Sequence, residues 1–321
     1  AATGKLPKTA PRAKGPGERK DRLNSMEMNT FAQKVRDALR KELGEAYSVE
    51  LKEVKKNNGV ILQGLMIQGR EGNVVPTIYM ETFYAAYEDG IPFSEVLRRI
   101  YEIYSEEMPR GKVDMEFFKS FCKVRDRICY RLIRRKGNEA LLAEIPHVEF
   151  LDLAICFYYA YSSGTLGEGS ILVYHSHMSM WGVKTQDLMR LAEENTPRLF
   201  PARLTPLSEV LNEIADVCGE SEPSQEIPLT VLTNERRIHG ASCILYPDTL
   251  KRLGEKSGKG IYIIPSSIHE VLLLERSGGE SPTELKKMIY EVNRTHLAPE
   301  EVLSDNLYLY DPVEKKVKII F

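Results

Sequence analysis

Short strand-like runs and amphipathic helical runs interleave along this chain without a regular repeat, and that irregular order constrains the fold more than any single motif. A doubly wound parallel sheet needs strand and helix in steady alternation, and a solenoid needs a fixed period. Neither pattern is present. The expected class is α+β, with mixed, mainly antiparallel sheets, packed helices and a disordered basic N-terminal tail. That tail, residues 1–25, has Leu6 and Leu23 as its only large apolar residues, too few to offset the entropy of ordering.

Local signals place the elements. Thr30 and Gln33 have capping-box spacing, and Phe31, Val35 and Leu39 recur one turn apart as far as Gly44, which predicts a first helix. Asn58-Gly59 separates strand-like runs at 47–56 and 60–68, a strong hairpin signal. Leu97, Ile100, Tyr101 and Tyr104 predict a helix from Ser94. Further strands are expected at Ile128–Ile133, Ser170–His177, Leu229–Thr233, Ile261–Ile264 and Ile268–Leu274, and a helix at Thr185–Glu194. Ser281, Pro282 and Glu284 mark another helix start, and 306–310 with 316–321 form an expected terminal hairpin. The polar stretch GESEPSQE at 219–226 is the candidate linker. It divides the chain into an N-terminal α+β domain, 26–218, and a C-terminal α+β domain, 227–321, or else joins two parts of one continuous unit.

Composition narrows the function classes. With 42% hydrophobic and 28% charged residues among 321, the chain suits a globular protein rather than a collagen-like or wholly disordered one. The longest apolar stretch, 150–161, is broken by Asp152 and too short to cross a bilayer, so no membrane partner is expected. Five cysteines, Cys122, Cys129, Cys156, Cys218 and Cys243, are odd in number and never closely paired, which argues against a disulfide framework and favours a reducing cytoplasm. The start of the chain lacks a charged segment followed by an apolar block, in keeping with that compartment. The run from Gly254 to Gly260 resembles a phosphate loop. It fails because the glycines are too close, Gly260 stands where Ser or Thr should hold magnesium, and it follows a helix instead of a strand. No cofactor is expected.

The formal charge of −2 conceals an asymmetry. Residues 1–22 hold seven basic and two acidic residues, net +5, and residues 112–136 hold nine and three, net +6. Residues 137–321 hold seventeen and twenty-seven, net −10. Arg125, Arg127, Arg131, Arg134 and Arg135, interleaved with Phe117, Phe118, Phe121 and Tyr130, are therefore candidate nucleic-acid contacts, since arginine pairs with phosphate and aromatic rings stack on bases. The same aromatics also suit the buried side of a helix, and a basic run is commonly no more than a solvated face.

Three further groups carry possible chemistry. His175 and His177, two apart on an expected strand, would share a face and start a metal site, but no further ligand motif stands near them; a hydrogen-bonded pair beside a packed Trp181 is the plainer alternative. Ser267, His269 and Glu270 interrupt two apolar strands with the residue types of a nucleophile, a base and an acid. Neighbours on one strand point in parallel, however, so a turn with local side-chain hydrogen bonds is the plainer reading. Arg236, Arg237 and His239 in NERRIHGAS, with the SSIHE turn, would line a pocket for an anionic ligand, and Cys243 beside them would be reactive if the arginines lowered its pKa. The alternative there is an exposed connector and an inert buried thiol.

Several phrases carry a resemblance: YRLI from Tyr130, PHVEFLDLAICFYY from Pro146, HMSMWGV from His177, LTNERRIHGASCILYPDTLKRL from Leu232 and YIIPSSIHEVLLL from Tyr262. With these motifs the chain resembles the uncharacterised bacterial domain-of-unknown-function family 5688, met mainly in gut Firmicutes and often on mobile genetic elements, over residues 29–321. Its last third is more loosely similar to another uncharacterised cytoplasmic family of low-GC bacteria. The resemblance implies a cytoplasmic, unified fold and carries no activity, cofactor or catalytic residues. The leading expectation is a non-enzymatic accessory protein that binds a macromolecular partner, a nucleic acid or another protein, plausibly linked to a mobile element. The alternative is a small hydrolase or ligand-binding enzyme using the SSIHE turn and the NERRIHGAS loop.

Overall fold

In the computed structural model the chain is an α+β protein, described over residues 26–69, 75–107, 116–163, 167–218 and 228–320. The expected tail at 1–25 and linker at 219–226 lie outside these residues. The chain divides into two compact units. Among the described residues, one takes in those up to Lys56, those between 61 and 115 and those between 161 and 171; the other takes in Asn57–Val60, Glu116–Ala160 and those from Leu172 onward.

The first unit contains α1 (Met28–Leu43), β1 (Ser48–Lys55), β2 (Ile61–Gln68), β3 (Thr77–Tyr79), α2 (Met80–Glu88) and α3 (Phe93–Glu107). The strands form an antiparallel sheet in the order β1-β2-β3. Phe31, Val35 and Leu39 of α1 are fully buried with Val49 and Leu65 of the sheet and Ile100 of α3, the stripe that the 3.6-residue period predicts. The helix begins at Met28, ahead of Thr30, and Glu27 at the cap position makes no side-chain bond, so packing of the apolar stripe sets the start instead of the capping box. The expected Asn58-Gly59 turn forms, with both residues at positive φ, 60° and 71°, where asparagine and glycine are tolerated.

The second unit contains α4 (Phe121–Val124), β4 (Ile128–Arg134), α5 (Glu139–Glu144), β5 (His147–Phe150), β6 (Leu153–Ser163), β7 (Gly167–Leu172), α6 (His175–Trp181), α7 (Thr185–Leu199), β8 (Ala202–Pro206), α8 (Leu207–Cys218), β9 (Leu229–Asn234), α9 (Thr249–Ser257), β10 (Ile261–Pro265), β11 (Val271–Glu275), α10 (Pro282–Thr295), β12 (Tyr308–Asp311) and β13 (Lys316–Ile319). The outer part of the β6–β7 pair, 161–171, clusters with the first unit. One sheet runs β4-β6-β5, with β7 also on β6; the other runs β13-β12-β10-β11-β9-β8. β8 and β9, on either side of 219–227, pair directly from Ala202↔Asn234 to Pro206↔Thr230.

β4 is an edge strand of its sheet, and two of its outward N–H groups are capped by side chains: the Tyr130 N–H donates to Thr196 Oγ1 at 3.1 Å and the Leu132 N–H to Ser242 Oγ at 3.2 Å. Asp152, the residue that breaks the apolar stretch, accepts hydrogen bonds from Ser304, Asn306 and Tyr308 and so ties the β5–β6 turn to the chain before β12. α10 begins as expected: the Ser281 hydroxyl accepts from the Glu284 N–H with Pro282 at the first position.

Two expected strands are shorter than their sequence pattern. The strand expected at Ser170–His177 stops at Leu172, and His175 opens α6, because His177 Nδ1 accepts the Tyr174 N–H while the His177 N–H returns to the Tyr174 carbonyl. The strand expected from Ile268 begins at Val271, since 266–270 is closed into a turn by the Ser267 N–H on the Glu270 carbonyl. Among the described residues no helix is long and apolar enough to cross a membrane.

Candidate functional site

Two loops of the second unit are locked onto each other. After β9, Asn234 folds the chain back: its Oδ1 accepts the N–H groups of Arg236 and Ile238, and its Nδ2 donates to the Ile238 carbonyl. Arg237 and His239 then take positive φ, 53° each, an unfavourable conformation for both that the surroundings must hold in place. Part of that hold comes from the 266–270 turn. His269 Nδ1 accepts the main-chain N–H of His239 at 3.2 Å, and Thr233 Oγ1 donates to the His269 carbonyl at 2.8 Å. Gly240 lies in the seam, where a Cβ would stand 2.2 Å from Thr233 Oγ1 and 2.4 Å from the His269 carbonyl, so no other residue fits.

The lock stacks the two imidazoles, with ring centroids 5.8 Å apart and planes 11° from parallel. Since His269 Nδ1 accepts, its proton in the neutral form is on Nε2, which faces Glu301 Oε1 at 3.8 Å. The His239 ring also lies 5.6 Å from the Tyr158 ring on β6. His239 is buried, and its Nδ1 has no hydrogen-bond partner. Burial first, then the charge of Arg131 and the neighbouring His269, hold its pKa well below the usual histidine value. Arg131 projects from β4, opposite Cys156, on the sheet face shared with Tyr158.

Over residues 28–312 the sequence matches the model of a family of unknown function, DUF5688. The chain belongs to that family. No curated protein and no solved structure matches it.

In this DUF5688 chain Arg131 is the least compensated charge of the cluster. The residue is half-buried, its Nε is shut off from solvent, and that atom has no partner. Burial lowers the guanidinium's pKa, and the groups acting against this are Cys156, Tyr158 and Tyr174, none of them a carboxylate. Glu301 and Glu270 act elsewhere. Glu301 raises His269 against a larger lowering by burial, and Glu270 is itself raised, by burial first and by Glu301, with Arg237 opposing. His269 and Glu301 keep 30% and 35% of their side-chain surface exposed, so one side of the cluster remains open to solvent.

The structure brings together residues that the sequence offers as separate candidates. His239, His269, Glu270 and Arg237 meet, and Arg131 joins them from the basic block. Ser267 is buried and its hydroxyl accepts the His269 main-chain N–H at 3.0 Å, a turn bond rather than a contact with the imidazole. Cys243 is buried with its thiol on the Thr233 carbonyl, and burial pushes its pKa up to about 12, so it stays protonated near neutrality. Arg236 is exposed, with its guanidinium 5.8 Å from the centre of the Phe200 ring.

The rest of the basic block points in several directions. Arg134 pairs with Asp305 at 2.7 Å, Arg135 with Glu149 at 2.8 Å and Arg125 with Asp126 at 3.6 Å, while Arg127 Nε donates to the Ala160 carbonyl. His175 and His177 do not share a face: on a helix they diverge by about 200°. His175 is exposed, and the His177 ring packs against Phe118 and Trp181. Among the described residues no group of three or more His, Cys, Asp or Glu is placed to hold a metal.

Sequence reasoning missed Tyr158 and Glu301, and it grouped Arg131 with its neighbours. A signal for Arg131 was present: it is the only charge within the apolar run ICYRLI, where alternation puts it on a covered face.

Proposed function

We propose that this DUF5688 protein binds a small anionic ligand at the cluster of Arg131, His239, Tyr158 and His269. The observation that carries the reading is the buried Nε of Arg131, which has no partner, beside a His239 Nδ1 that also has none. A buried charge without a counter-ion is costly to a fold and is retained where a ligand supplies the missing charge. The stacked loops provide a rigid support, and His269 serves there as a positioning residue by fixing the His239 main chain.

A macromolecular partner attracted by the basic block has less behind it, because Arg134 and Arg135 already spend their charge on Asp305 and Glu149. A hydrolase built on Ser267 also has less behind it, because that hydroxyl is committed to the turn. Thermal melting against a panel of small organic and inorganic anions tests the proposal. At least one anion should raise Tm in the wild type and none should do so in Arg131→Met, since a ligand that binds only the folded state stabilises it. If no anion separates the two proteins, the reading falls.

A further inference from the structure

We infer that the anionic group taken at Arg131 is a carboxylate, an inference that rests on the ligand-binding reading above. The first reason is charge. Arg131 is one fixed positive charge, with only Cys156, Tyr158 and Tyr174 influencing it besides burial. Neither imidazole of the cluster adds a charge beside it, and Arg237 is opposed by Glu270. His239 is held neutral by burial, by Arg131 and by His269, and His269 is held toward neutrality by burial against the weaker pull of Glu301. The site is therefore matched by a single negative charge. A phosphate monoester carries closer to two charges at neutral pH. Neutralising the second would require a proton on His239, where the burial, Arg131 and His269 all oppose one.

The second reason is shape and donor count. A guanidinium presents two N–H groups along one edge in the plane of a carboxylate, and Nε is one of the two groups on its side edge. That Nε is the buried, unpartnered atom. The Tyr158 and His239 rings, 5.6 Å apart, stand beside the guanidinium, Tyr158 on the same sheet face and His239 near enough to feel its charge. A neutral His239 carrying its proton on Nδ1 gives a further donor to the same carboxylate. The Tyr158 ring beside His239 offers a flat face on which the carbon body of an organic acid would pack.

Isothermal titration calorimetry with benzoate, acetate, inorganic phosphate and dimethyl phosphate separates the possibilities. Benzoate should bind more tightly than either phosphate species, and Arg131→Lys, which keeps the charge but loses the fork, should weaken benzoate roughly tenfold. Repeating the titration at about pH 7.5 in buffers of different ionisation enthalpy reads proton uptake, which should be close to zero for a carboxylate on a neutral His239. Melting curves confirm that each variant is folded. Tighter binding of inorganic phosphate with proton uptake, or of dimethyl phosphate, abolished in Arg131→Met, would overturn the carboxylate inference and leave the anion site standing. Equal binding of benzoate by wild type and Arg131→Met would overturn both.

Discussion

The imidazole of His269 takes the main-chain N–H of His239 at 3.2 Å, so one histidine holds the backbone of the other in a left-handed conformation while their rings stack. Removing that acceptor leaves a half-buried N–H without a partner. His269→Ala should lower stability by about 1–3 kcal/mol. His269→Asn, whose amide oxygen falls near the position of Nδ1, should recover a good part of the loss. Urea unfolding of the two variants checks this, and equal losses would show that the hydrogen bond contributes little.

Acidification should weaken the same lock. His239 and His269 both have folded pKa values below the ordinary 6.5, so the unfolded chain binds these protons more readily than the folded one. Their contribution to stability is complete well above pH 6.5 and is lost as the pH falls through 6.5 toward the depressed folded values. Glu270, raised by burial, acts in the opposite sense nearer the carboxylate range. Tm measured from about pH 8 down to pH 5 should fall, and His239→Asn should flatten the upper part of that fall.

Arg131→Met should make the ligand-free protein more stable, by about 1–2 kcal/mol, because it replaces a half-buried charge without a counter-ion by an apolar side chain of similar length. An arginine kept for structure gives the reverse sign. Denaturant midpoints of the two proteins without added anion decide between them.

Gly240→Ala forces a methyl group against Thr233 Oγ1 and the His269 carbonyl. The two loops cannot both keep their positions, so a loss of roughly 3 kcal/mol and a parallel loss of anion binding are expected. Retained binding at full affinity would show that the seam and the site are independent.

Thiol labelling should follow burial. Cys122 is exposed, whereas Cys129, Cys156 and Cys243 are buried with pKa values pushed up to about 12. Mass spectrometry after brief alkylation of the native protein should find Cys122 modified well before those three, and early modification of Cys243 would contradict its inert placement.

What could be read from the sequence was local. The Asn58-Gly59 turn and the Ser281-Pro282 helix start each depend on a few adjacent residues and appear where expected. Tyr174 to His177 shows the opposite case: its alternation resembles a strand, but the hydrogen bond to His177 Nδ1 turns the chain into a helix, and nothing in a period of two reports that bond. The candidate site was harder still. Arg131 is more than a hundred positions from His239 in the chain, and only the packing of one sheet face against two distant loops brings them together. The loop pair was visible as two candidates, whereas the reason Arg131 differs from Arg134, a carboxylate beside one and none beside the other, exists only in three dimensions.

The hydroxyls of Thr196 and Ser242 that cap β4 also close the flank of the strand that carries Arg131. Side chains alternate along a strand, so a slip of one position would turn Arg131 through the sheet and bring Tyr130 or Leu132 into its place. Pairing with β6 holds the alignment, from Ile128↔Tyr159 to Arg134↔Leu153, and the two oxygens, one to either side of Arg131 in sequence, occupy N–H groups that a further strand would otherwise take. A helix and a tight turn thus keep the sheet from growing past the strand on which the positive charge sits.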